Sequence, residues 1–208
     1  MSTDGIYEFD LIFALPSPAD IDSILDRLYD AGCDDAVIGV GAPDMIGLGF
    51  TRYGPDAETV ISRTLNQILI ALPEGCRLRE VKPDLVSLAE VAARLGVTRQ
   101  ALQKREMPAP SLGGLYRATE IRPHLSQATG KIAEALATAD PWFAAAAGAQ
   151  RVNARISLGD IPACRHAHQT GTNAVVPQKN PVPARQAACP PFSASPTEIR
   201  RRKGSEAG

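Results

Sequence analysis

The sequence predicts an α+β protein with a mixed strand-and-helix unit first, a small helical unit after it, and an irregular tail. Three observations carry this. Up to about Pro83, short runs rich in β-branched and aromatic residues alternate with stretches of helical spacing. From Ser87 onward, two helix-start signals flank a glycine within a dozen residues. Beyond about Gly159 the periodicity ends, and seven prolines interrupt sequence rich in Ala, Ser, Thr and Asn.

The elements follow in order. Tyr7 to Leu15 reads as a strand ended by Pro16. Ile21, Ile24, Leu25 and Leu28 recur at helical spacing, and Gly32 closes that helix. Ala36 to Val40 suits a short buried strand, and Gly41, Pro43 and Asp44 supply turn chemistry. Met45 to Thr51 is a further strand that carries two glycines. Asp56 to Leu72 is helical, with Val60, Ile61, Leu65, Ile68, Leu69 and Leu72 on one broad face, and Arg77 to Val81 is the last strand. The order β-α-β-β-α-β over residues 1–83 predicts a ferredoxin-like domain, with helices on one face of an antiparallel sheet. Such a sheet leaves a face or edge to be covered, and dimerisation or the C-terminal helices would cover it.

Residues 84–125 are the most informative. Ser87-Leu88-Ala89-Glu90 has the spacing of a capping box, in which each end satisfies an amide of the other. The helix runs through Val91, Ala92 and Leu95 to Gly96, which accepts positive φ. Thr98 caps a second helix over Arg99 to about Lys104 or Arg105. Two short helices joined by LGVT form a helix-turn-helix. In that arrangement the second helix enters the major groove of DNA, and its outward side chains here are Thr98, Arg99, Gln100, Gln103 and Lys104. Arginine bonds bidentately to guanine and glutamine to adenine, while threonine and lysine hold phosphates.

The run SLAEVAARLGVTRQALQK resembles the helix-turn-helix of MerR-like and excisionase-like bacterial DNA-binding proteins. Val91, Ala92, Gly96, Val97 and Leu102 carry the match. The run MPAPSLGGLYRATEIRPHL resembles the wing of that group: a proline-rich extended strand, a Gly113-Gly114 turn, a returning strand with Tyr116 and Arg117, and a helix capped by Thr119. The motif covers about 40 residues of the 208. Over roughly 120 residues the chain is similar to an uncharacterised set of bacterial proteins with an acidic α+β region before such a motif. The resemblance implies a winged helix-turn-helix that binds double-stranded DNA, with Arg117 on the wing.

Charge is distributed to match. Residues 1–83 carry 6 basic and 14 acidic side chains, a net of −8. Residues 84–125 carry 6 and 4, a net of +2, and residues 126–208 carry 10 and 5, a net of +5. The acidic front repels nucleic acid and the rear tolerates it. After the winged unit, Ile132 and Leu136 mark another helix. Asp140-Pro141 reads as the N-cap and first-turn proline of one more, over WFAAAAGAQ. Residues 126–158 are thus additional helices, and 159–208 a disordered basic tail ending in Arg200, Arg201, Arg202 and Lys203.

Other chemistries find little footing. Gly39 to Pro43 lacks the lysine and hydroxyl of a phosphate-binding loop and the spacing of a dinucleotide loop, so it reads as a turn. Asp34 and Asp35 are adjacent and, on a strand, would face opposite ways. Cys164, His166 and His168 place three metal-ligand types in five residues, but a closed zinc site needs a fourth ligand, and Cys189 lies 25 residues on. No histidine precedes His124, and no nucleophile-elbow, zincin or Walker pattern occurs. Four scattered cysteines without a CxxC pair read as free thiols. No run of about 18 apolar residues offers a membrane span. The acidic N-terminus lacks the marks of a secretory signal.

The expectation is therefore a cytoplasmic, sequence-specific DNA-binding regulator, not an enzyme and without a cofactor or metal, acting as a homodimer on two half-sites with no membrane partner. Two other readings stay open. One is a protein-interaction adaptor with a degenerate helix-turn-helix, favoured by the acidic first domain and the short second helix. The other is a regulator that senses a small ligand through residues 1–83.

Overall fold

The computed structural model describes residues 4–162 and residue 164. The first unit consists of β1 (Gly5–Ala14), α1 (Ile21–Asp30), β2 (Val37–Gly39), β3 (Met45–Gly54), α2 (Ala57–Ala71) and β4 (Arg77–Lys82). Its four strands lie in the order β2-β3-β1-β4, with every neighbouring pair antiparallel. The element order is the one that the periodicity gives. Then follow β5 (Leu85–Val86), α3 (Leu88–Arg94), α4 (Arg99–Gln103), β6 (Tyr116–Arg117), α5 (Ala118–Ser126), α6 (Lys131–Thr138) and α7 (Asp140–Leu158).

Alternation along β1 sets the first core. Phe9, Leu11 and Phe13 point to the helical side and are fully buried, opposite Phe50, Leu48 and Ile46 of β3. The Phe9 and Phe50 rings stack at 5.8 Å. Each such side chain contributes about 1.5–3 kcal/mol by burial. A one-residue slip would turn all three to the other face, so the register is strongly fixed. Against this face lie Ile24 and Leu28 of α1 and Val60, Ile61, Leu65 and Ile68 of α2. Asp20 and Asp56 start these helices, accepting from the Ser23 amide at 3.2 Å and the Thr59 amide at 2.9 Å.

The largest departure from expectation is α7. It begins at Asp140 itself, with Ala139 in the cap position and Pro141 in the first turn, and it runs to Leu158 rather than stopping near Gln150. Its Ala145, Ala149 and Val152 belong to the first core, while Trp142, Phe143 and Ala146 belong to a second core shared with α3, α4, α5 and α6. The helix is thus a common wall between two cores rather than an appendage. Gly148 makes the approach possible. A Cβ there would stand 2.6–2.7 Å from the backbone of Ala57 and Glu58 at the start of α2. Asn153 of α7 then accepts from the Val81 amide and donates to the Val81 carbonyl, both at 2.8 Å. That side-chain amide occupies the open edge of β4 as a neighbouring strand would.

The chain stays on the first unit beyond the expected boundary at residue 159. Gly159 ends α7 in the left-handed conformation, Ile161 packs against the first core and Cys164 is buried in it. The rest of the expected tail, including Arg200 to Lys203, His166 and His168, lies outside the described residues. Among the described residues no helix is long and apolar enough to cross a membrane.

Candidate functional site

The α3–α4 corner is built by local signals. Ser87 Oγ accepts from the Glu90 amide at 3.1 Å and Glu90 Oε2 accepts from the Ser87 amide at 2.8 Å, closing the capping box. The remaining Glu90 oxygen accepts from Lys82 Nζ at 2.8 Å, which ties this helix start to β4. Burial pushes the Glu90 carboxyl up, but the Lys82 ammonium and the Ser87 amide outweigh it, so its pKa falls below the usual glutamate range.

Gly96, at φ 60°, ends α3. The Val97 amide donates to Ala92 O at 2.9 Å and the Gly96 amide to Ala93 O at 3.2 Å, the paired bonds of a Schellman turn. Thr98 then caps α4 by accepting from the Ala101 amide at 3.2 Å. Leu102 is fully buried among Val91, Ala92 and Leu95, with Ile121 and Leu125 of α5 beside them. Anchoring one face by Leu102 leaves the opposite face of α4 to solvent.

That face carries the expected residues. Thr98, Arg99, Gln100, Gln103 and Lys104 are all exposed, and the corner brings them together on one surface. Helix α4 is shorter than expected: it ends at Gln103, and Lys104 is its C-cap, donating its amide to Gln100 O. Charge pairing separates these side chains from their neighbours. Arg94 pairs with Glu8 of β1 and lies over the Trp142 ring, and Arg122 pairs with Asp140. Arg99, Lys104 and Arg105 make no ion pair or side-chain hydrogen bond among the described residues.

Arg117 does not join them. Its guanidinium donates to Asp84 at 2.5 Å, and the other Asp84 oxygen accepts from Asn153 at 2.9 Å. Asp84 is 6% exposed and Arg117 is half-buried, so this network is a partly buried clasp between β6, the chain after β4, and α7. Arg117 is thereby paired within the fold, unlike the cations of α4. The wing itself is also rearranged. β6 pairs with β5, Leu85 opposite Arg117 and Val86 opposite Tyr116, and not with the proline-rich segment before Ser111. A tight turn at Gly113-Gly114, both at positive φ, joins Leu112 to Leu115 and leaves Leu112 64% exposed at its tip. Thr119 does not cap the next helix. α5 starts at Ala118, whose amide is taken by Asp84 O at 2.8 Å. Tyr116 packs against the second core.

The first unit holds one polar cluster that sequence reasoning missed. Arg52 forks onto both oxygens of Asp35 at 2.8 and 2.9 Å, donates to Thr64 and Gln67, and lies 4.5 Å from the Phe50 ring centre. All three guanidinium nitrogens donate within the fold, which makes it a structural tie between β3, α2 and the α1–β2 loop. Asp34 beside it is exposed. A shallow depression bounded by Ile12, Gly39, Gly41, Met45 and Gly47 has no titratable lining, so it offers no charge to orient a ligand. No group of three His, Cys, Asp or Glu side chains suited to a metal occurs among the described residues.

No family model, no curated protein and no solved structure matches this chain.

Proposed function

We propose that the chain is a sequence-specific double-stranded DNA-binding protein, a transcriptional regulator that presents α4 to the major groove. One observation supports this above the others. Within residues 84–126 the fold spends Arg94, Arg117 and Arg122 on ion pairs, and among the described residues leaves Arg99, Lys104 and Arg105 unpaired on or beside one exposed helix that also carries Gln100 and Gln103. Unpaired cations beside amides suit phosphate positioning and base-edge readout. In this reading Arg99, Gln100 and Gln103 meet base edges, Thr98 and Lys104 hold backbone, and Arg117 braces the unit through Asp84. The strand order β2-β3-β1-β4 supports a ferredoxin-like reading of the first unit, which then serves as the dimerising half.

Binding of the full chain to sheared genomic DNA, followed by anisotropy across a salt series, tests the proposal. Each phosphate neutralised contributes about −0.9 to the slope of log affinity against log salt. Three unpaired cations per protomer predict a steep negative slope, reduced by about 1 in Lys104→Ala. The five-residue length of α4 favours one other reading, a protein-docking adaptor. That reading predicts no binding to DNA at any of these salt concentrations.

A further inference from the structure

We propose that Cys76 and Cys164 form a reversible disulfide that locks the segment after α7 onto the start of β4. The Cys164 amide donates to Cys76 O at 2.9 Å, and Cys164 O accepts from the Gly75 amide at 3.2 Å. With the N–Cα bond on one side and the Cα–C=O arm on the other, the two Cα atoms lie no farther apart than about 6.8 Å, within the span a disulfide bridges. Both residues are almost wholly buried, and both thiols are free. Nothing in the cores needs a cysteine pair at this point, because two backbone hydrogen bonds already seat the segment.

Burial raises both thiols, and Cys164 is pushed up to about 12, with the neighbouring Cys76 adding to the effect of burial. Cys76 attacks as the thiolate. The oxidant is a peroxide. The Cys76 thiolate attacks one peroxide oxygen, the O–O bond breaks, and Cys76 becomes a sulfenic acid with release of one water. The Cys164 sulfur then attacks the sulfenic sulfur, the S–O bond breaks, and a second water carries off the thiol proton. Two thiols have lost two electrons and two protons, and hydrogen peroxide has become two waters. Access requires the chain at Cys164 to lift, which breaks its two backbone bonds to Gly75 and Cys76 and exposes Cys164 and the nearby Ile161. The bond encloses α3 to α7 in one covalent loop.

The test uses the full chain treated with hydrogen peroxide, then alkylated, digested without reductant and mapped by mass spectrometry. The expected result is a linked Cys76–Cys164 peptide pair that dithiothreitol removes, with Cys33 alkylated. The melting temperature should rise by about 5–10 °C on oxidation. Cys33→Ser and Cys189→Ser should keep that rise, and Cys164→Ser should lose it. The map needs no variant, so a variant that fails to fold does not blunt the test. Cys76 and Cys164 both alkylated, over-oxidised, or linked to other cysteines after peroxide would overturn the proposal.

Discussion

Gly148→Ala separates a packed α7 from a loosely attached one by the sign of its effect. In an exposed helix interior, replacing glycine with alanine stabilises by about 1 kcal/mol. Here the added methyl would stand 2.6 Å from the Glu58 amide nitrogen and 2.7 Å from the Ala57 carbonyl carbon and Cβ. Ordinary contacts at these atoms are about 3.5–4.0 Å, so α7 would have to move by about 1 Å. Two of the three obstructing atoms are backbone at the start of a capped helix, which cannot rotate away. Overpacking of this kind costs about 1–3 kcal/mol and exceeds the helix-propensity gain in most of that range. The net expectation is a loss of up to about 2 kcal/mol. At about 2–4 °C per kcal/mol for a chain of this size, the melting temperature falls by up to about 8 °C. Thermal unfolding followed by circular dichroism measures this directly. A rise of 2–4 °C would refute the close packing of α7 on α2, and with it the common wall between the cores.

Three further changes probe the ties around the site. Asp84→Ala strips Arg117 and Asn153 of a shared partner and should cost about 1–3 kcal/mol by urea titration, without altering the exposed face of α4. Glu90→Gln weakens the capping box and the Lys82 pair, with a loss of about 1 kcal/mol at neutral pH. Because the folded carboxyl has a depressed pKa, that contribution is present above the ordinary glutamate value, and the gap to wild type should close as pH falls through the folded pKa. Asp10→Asn has the opposite sign. Burial beside β3 raises the Asp10 carboxyl, against the opposing pull of Lys82. The ionised form therefore destabilises the fold at neutral pH. The amide variant should melt higher at pH 7, with the gain shrinking as pH falls through the raised folded pKa toward the ordinary aspartate value.

The sequence was most legible where structure is local. Alternation in Phe9, Leu11 and Phe13, the Asp20 and Asp56 caps, the Ser87–Glu90 box and the Gly96-Thr98 turn each depend on residues a few positions apart. The exposed set on α4 follows from the same local logic, because one buried residue, Leu102, fixes which way the short helix faces. What was not legible depends on distant partners. Arg117 reads as a wing cation until Asp84, 33 residues earlier, is seen beside it. Asn153 has no local signature for its bonds to Val81, 72 residues away. The reach of α7 was hidden because its alanines give little amphipathic contrast, so neither its end nor its two-sided burial shows in the period. Gly148 carried the clue, since a glycine inside an otherwise helical pattern often marks a close approach.

Affinity selection of fragmented genomic DNA, followed by sequencing, tests the central claim most directly. The full chain would be run beside an Arg99→Ala, Gln103→Ala double variant whose substitutions touch no core side chain. The account predicts that wild type alone enriches a short site with two-fold symmetry, and that the variant, folded to the same circular dichroism spectrum, loses it. Equal enrichment by both proteins, or none by wild type, would contradict the assignment of α4 as the reading helix.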